Sequence, residues 1–166
     1  VGMIAPAIEG QFDGSLEQIK KAMKAVGFTE VVEVAEGAKI TAEREAKELM
    51  EKKEKGEGYL ATSCCPAWFS LVDKHIPAIR DHISTTLSPM GYTAQICKER
   101  FPGYKVVFIG PCVAKRYEAA TKYPELIDRV LSYGELASIF VAKGVNVADM
   151  PKDYEDDDVC KAIDDC

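Results

Sequence analysis

No stretch of this 166-residue sequence is long and apolar enough to cross a bilayer, so no membrane partner is expected. No basic stripe is present either. Lys plus Arg number 21 against 27 Asp plus Glu, a net charge of −6, which argues against nucleic acid as a partner. No pair of cysteines has the Cys-x-x-Cys spacing, which excludes a zinc knuckle and a thioredoxin-type redox site. Histidine is scarce, and the two present, His75 and His82, flank Pro77 and read as capping or surface residues rather than ligands. There is no internal repeat and no low-complexity linker. Neither a charged leader nor a cleavage site precedes the first apolar run; the expectation of a cytoplasmic protein comes from the cysteines, whose spacing suits a reducing compartment.

What remains is an ordinary globular composition, 47% hydrophobic, with six cysteines: Cys64, Cys65, Cys97, Cys112, Cys160 and Cys166. Their spacing is not that of a small secreted disulfide framework. In a reducing compartment, clustered cysteine points to metal binding or catalysis. The stretch from 151 to 166 is acidic and reads as a poorly ordered tail after a folded unit over 1–150.

Val1 to Ile8 reads as a buried strand ending at Ala5-Pro6. Ser15-Leu16-Glu17-Gln18 is a capping box, and Leu16, Ile19, Met23 and Val26 follow at helical spacing until Gly27. Glu30 to Ala35 reads as a second strand. Thr41 is expected to cap a second helix with Ala42, Ala46, Leu49 and Met50 inward, and Tyr59 to Ser63 to form a third strand. Pro66 and Ser88-Pro89 each open a helix. The first of these buries Trp68, Leu71, Val72 and Ile76, the second Met90, Ala94, Cys97 and Phe101. Lys105 to Gly110 is a further strand, Val130-Leu131 a short last one, and Ser132 to Glu135 caps a final helix ending at Gly144. This alternation predicts an α/β fold with a mostly parallel sheet of four to five strands flanked by helices.

Two segments carry the chemistry: Thr62-Ser63-Cys64-Cys65-Pro66-Ala67-Trp68 and Gly110-Pro111-Cys112-Val113-Ala114-Lys115. Each follows an apolar run, and in an open α/β sheet ligands bind beyond the carboxyl ends of strands. A helix N-terminus favours the thiolate, the form that ligates metals. Taken alone, Cys64 and Cys65 leave two readings open: a thiolate site with one ligand and one substrate-facing thiol, or two small buried residues. Lys115 and Glu118 follow Cys112 at helical spacing. They fit either an anion-holding and proton-relaying pair or a surface ion pair of little weight. Cys97 reads as core, and Cys160 and Cys166 as exposed thiols in the tail.

Together the two segments resemble the first two signature motifs of the iron-only, or [FeFe], hydrogenase catalytic domain. Ala5-Pro6-Ala7, Glu45, Glu48, Ser84 and Ser88-Pro89 match as well, and the resemblance covers roughly Val1 to Met150. It implies one lobe of a two-lobed domain. It also implies, for the parent protein, a [4Fe-4S] cluster joined through a cysteine to a two-iron subcluster carrying CO, cyanide and a bridging dithiolate. By motif position, Cys65 and Cys112 would be cluster ligands. Cys64 would pass protons to the two-iron unit, and Lys115 would hydrogen-bond a cyanide. Ala5, Pro6, Ala7, Ser88, Met90, Gly110 and Pro111 would line the pocket, and Glu118, Ser84, Glu45 and Glu48 would lead protons to the surface.

The chain departs from the family in three ways. A third cysteine motif with two further ligands is missing from the 166 residues. Gly110 stands where many catalytic members have Met, and Met90 where they often have Gln. No electron-relay motif precedes Val1. The expectation is a fragment that binds no cluster by itself and is inactive. Its parent would interconvert protons, electrons and H₂. The partners would be the remaining half of the domain, a ferredoxin-like electron donor or acceptor, and hydrogenase maturation proteins. The rivals are a non-catalytic relative, acting as a hydrogen sensor or iron–sulfur carrier, and a plain α/β binding module with structural cysteines.

Overall fold

A computed structural model describes residues 1–152. Four short strands alternate with six helices. They run β1 (Gly2–Ile4), α1 (Leu16–Ala25), β2 (Val31–Glu33), α2 (Ala35–Glu54), α3 (Pro66–His75), α4 (Pro89–Arg100), β3 (Val107–Ile109), α5 (Ala114–Lys122), β4 (Arg129–Leu131) and α6 (Tyr133–Ala142). All strands are parallel, in the order β2-β1-β3-β4.

The period-2 alternation of side chains divides the core in two. On one face Met3, Val32 and Phe108 pack with Met90, Ala94 and Cys97 of α4 and Ala119 of α5. On the other, Ile4 and Ile109 pack with Ile19, Ala22 and Met23 of α1 and Leu136 and Phe140 of α6. Burial pushes the Cys97 thiol up to about 11, so it stays protonated in the core. Both expected capping boxes form, on Ser15 and on Ser132. Gly27 and Gly144 both have positive φ, which ends α1 and α6 without the cost a side chain would bring. Asp128 ties the start of β3 to the β4 edge. Its Oδ2 accepts the Val106 N–H at 2.9 Å, and its Oδ1 lies 2.8 Å from the Lys105 ammonium. Lys105, helped by that backbone bond, holds the carboxyl down at about 2.

Several expectations are corrected. The helix assigned to Thr41 begins at Ala35. Thr41 is buried inside α2, where its hydroxyl donates to the carbonyls of Gly37 and Leu87 and so needs no helix terminus. The inner face of α2 is not apolar: Ala42, Ala46 and Met50 are exposed, and Gly37, Thr41, Glu45 and Glu48 turn inward. Gly37 is required there, because a Cβ would run into the Pro89 carbonyl and Thr93 of α4. Tyr59 to Ser63 forms no sheet strand, only an isolated bridge between Ala61 and Ile83. On α3, Val72 is buried but Leu71 and Ile76 are exposed.

The chain leaves β1 for β2 on one side and later returns to place β3 on the other. The crevice at that reversal lies beyond the carboxyl ends of β1 and β3, the general position for a ligand in such a sheet. Ala5-Pro6-Ala7 follows β1, and Gly110-Pro111-Cys112 follows β3.

Candidate metal centre

The two sheet-end segments are stitched together by backbone. The Ala5 N–H donates to the Ile109 carbonyl at 2.9 Å and the Gly110 N–H to the Leu131 carbonyl at 3.0 Å. Pro6 starts a short 3-10 turn to Ile8, where its missing N–H costs nothing, and this turn bends the chain out of the sheet. Pro6, Ala7 and Pro111 are exposed and Ala5 is half-buried. The Ala5 carbonyl accepts the Tyr133 hydroxyl at 3.3 Å, and burial pushes that phenol up to about 12.

Gly110 is buried with no space for a side chain. A Cβ would stand 2.7 and 2.8 Å from the Phe108 ring and 3.3 Å from the Ala5 methyl. Cys112 follows as a half-buried free thiol, and its carbonyl accepts the Lys115 N–H at 3.1 Å as α5 begins.

Cys65 is the N-cap of α3. Its sulfur accepts the Trp68 N–H at 3.4 Å, so the thiol sits at the positive end of the helix and faces solvent. Cys64 is half-buried, with the Thr62 hydroxyl 3.8 Å from its sulfur. Its carbonyl accepts the Lys115 ammonium at 2.8 Å, which fastens the double-cysteine loop to α5. The same ammonium lies 2.6 Å from Glu118 Oε2, and the Glu118 side chain is only 1% exposed.

The polar residues fall into two clusters. On the α2 side, Glu45 accepts the Ser63 N–H at 3.1 Å, and Glu48 accepts the Ser84 hydroxyl at 2.6 Å and the Thr85 N–H at 3.3 Å. The Ser63 hydroxyl donates to the Thr86 carbonyl at 2.6 Å and the Thr86 N–H to the Ser84 oxygen at 3.1 Å, closing the cluster. On the α5 side, Glu118 bonds Lys115 and makes no bond to Ser84, Glu45 or Glu48. Ser88 caps α4, accepting the Gly91 N–H, and its own N–H donates to the hydroxyl of buried Tyr123 at 3.3 Å. Met90 lies in the core beneath.

Sequence reasoning misses Ser63, Thr86 and Tyr123 as site residues. A Ser-Thr-Thr run at 84–86 opposite two inward glutamates is the pattern that marks the first cluster. Tyr123 gives no such signal, since a helix-end tyrosine is as often on the surface.

Among the described residues no three His, Cys, Asp or Glu side chains converge as a metal site. The thiols at the crevice therefore do not by themselves fit a four-thiolate cubane, which needs two more ligands than Cys65 and Cys112. Cys160 and Cys166 lie outside the described residues.

The family model described as iron only hydrogenase large subunit, C-terminal domain, matches residues 1–163. The periplasmic [Fe] hydrogenase large subunit of Nitratidesulfovibrio vulgaris is 29% identical over 153 residues, covering 81% of this chain and 36% of that protein. The cytosolic Fe-S cluster assembly factor NAR1 of Meyerozyma guilliermondii is 32% identical over 130 residues, covering 69% of this chain and 24% of that protein. A solved variant of [FeFe]-hydrogenase HydA1 from Chlamydomonas reinhardtii superposes with a TM-score of 0.81 at 26% identity, covering 91% of this chain and 44% of that one. The chain thus spans between about a fifth and about a third of the curated relatives it matches, and under half of the solved hydrogenase.

Proposed function

This chain belongs to the family of C-terminal domains of iron-only hydrogenase large subunits, and on that premise we propose that it is a hydrogenase lobe supplying Cys65 and Cys112 as two ligands of an iron–sulfur centre. The observation that supports the reading is the Lys115 ammonium of the second motif donating to the Cys64 carbonyl of the first at 2.8 Å. The remaining ligands would come from outside residues 1–152. When bound, the centre would supply the electrons for interconverting protons and H₂.

This chain's own residues have narrower tasks. Cys65 presents its sulfur at a helix N-terminus, whose dipole complements the negative charge of a thiolate ligand. Cys64 lies beside it as a thiol free to carry a proton. Lys115 offers a fixed cation to an anionic ligand, and Glu118 neutralises it. Glu45, Glu48, Ser63 and Ser84 form a hydroxyl–carboxylate cluster leading away from the double-cysteine loop. A ferredoxin-like electron partner, maturation proteins and a cytoplasmic location belong to the same proposal. No helix among the described residues is long and apolar enough to cross a membrane.

A second reading is favoured by Gly110. The ring of Phe108 fills the space a side chain would need at the crevice wall, and the matching proteins include assembly factors as well as hydrogenases. In that reading the same cysteines hold iron without turning over H₂. The deciding experiment is H₂ uptake and evolution by the anaerobically matured protein that carries this domain. Turnover supports the hydrogenase, and bound iron without turnover supports the carrier or sensor.

A further inference from the structure

The facing sides of α3 and α5 leave a cleft of about 260 Å³ between them. From α3 it is lined by Pro66, Phe69, Ser70 and Asp73, which helical spacing puts on one face, and from α5 by Tyr117, Glu118 and Thr121. Rings and polar groups thus meet across a space below the size that suits a drug-sized ligand, but ample for a single ring.

The polar groups are unevenly satisfied. The Glu118 side chain is 1% exposed, and its Oε2 takes the Lys115 ammonium. Its Oε1 accepts no hydrogen bond from a described residue, yet no buried side-chain oxygen or nitrogen among those residues lacks a partner. The little exposure that Glu118 keeps therefore belongs to Oε1, at the cleft. An ionised carboxylate offers only acceptors, so this oxygen calls for an O–H or N–H. At the cleft's exposed edge stand Lys74 and Lys122. Asp73 is paired with Arg80 and Glu118 with Lys115, but no carboxylate among the described residues pairs with Lys74 or Lys122. The Phe69 ring, 4.0 Å from the Lys122 ammonium, holds that charge beside the cleft.

This lining sorts the ligands it could take. A metal ion does not suit it: Lys115 already offsets Glu118, and no three ligating side chains converge among the described residues. A small inorganic anion would meet the Glu118 carboxylate, and an organic cation would meet the two lysines. We propose that the cleft between α3 and α5 is a binding site for a small aromatic acid that carries a hydroxyl or ring N–H opposite its carboxylate. The donor end reaches Glu118 Oε1, the ring lies among Pro66, Phe69 and Tyr117, and the carboxylate meets Lys74 and Lys122. The site needs no iron and stands apart from the hydrogenase reading.

The test is a titration of the iron-free 166-residue chain with para-hydroxyphenylacetate, followed by backbone amide NMR. Saturable shifts should centre on Ser70, Asp73, Tyr117 and Thr121, with a Kd of about 1 mM or below. Phenylacetate lacks the donor, and tyramine has an ammonium in place of the carboxylate. Each should bind at least about tenfold more weakly, the loss expected for one missing polar contact. Thr121→Trp, which fills the cleft from an exposed position, should weaken para-hydroxyphenylacetate by about tenfold or more. Ser70→Trp fills it from the α3 side, in case the first variant does not fold. No saturable shift up to about 10 mM, equal binding of either analogue, or binding indifferent to both substitutions overturns the site.

Discussion

The ammonium of Lys115 sits 2.8 Å from the carbonyl oxygen of Cys64. This single bond joins residues 51 positions apart and holds the two cysteine motifs together. Its partner on the other side, Glu118, is almost wholly enclosed, so the loop, the ammonium and the carboxylate stand or fall together.

Lys115→Met should cost about 3 kcal/mol in urea unfolding, because it leaves a buried carboxylate without its cation. Lys115→Met/Glu118→Leu should cost clearly less than the sum of the single changes, since neither charge is then stranded. Additive losses would show that the pair is not coupled.

Ser84→Ala removes the short hydroxyl bond to Glu48 and an acceptor for the Thr86 N–H. The expected loss is about 2 kcal/mol, the range for a hydrogen bond to a charged group. Glu48→Gln in the Ser84→Ala background should add little. A full independent loss there would mean that Glu48 has a partner other than the loop.

Gly110→Ala should destabilise by about 1–3 kcal/mol through overpacking against Phe108. Phe108→Leu/Gly110→Ala should recover part of it by opening the space. If Gly110→Ala is neutral, the crevice wall is looser than the contacts at Phe108 and Ala5 imply.

Acid should loosen the β3–β4 edge. Asp128 has a folded pKa of about 2, depressed chiefly by Lys105, below the usual carboxylate value. Its contribution is therefore complete above about pH 4 and is lost as pH falls toward 2. Asp128→Asn should remove about 1 kcal/mol near neutral pH and flatten the stability profile across that window. An unchanged profile would contradict the assignment.

The sheet and the strand end that carries Cys112 are legible in the sequence because strand, capping box and glycine stop agree locally. Ser15 and Ser132 cap where expected, and Cys112 does follow a strand. The α2 helix resists such reading because its buried face is polar. Thr41, Glu45 and Glu48 are satisfied by residues 18–46 positions away, contacts that periodicity cannot register. The loop before Cys64 mimics a strand because its apolar run is short and bounded like one. Its only parallel partner among the described residues is the segment at Ile83, too little to make a sheet. The separation of Glu118 from Glu48 is also hidden: both are one helical step from a candidate site residue, but on different helices.

The most direct measurement of the central claim is iron and sulfide content, with Mössbauer spectra, of the anaerobically reconstituted chain carrying Cys160→Ser and Cys166→Ser. If Cys65 and Cys112 are two ligands of a centre completed from elsewhere, iron should stay well below one four-iron cluster per chain. What iron is held should disappear in Cys65→Ala and Cys112→Ala. A full [4Fe-4S] cluster per chain, or iron indifferent to those two substitutions, would contradict it.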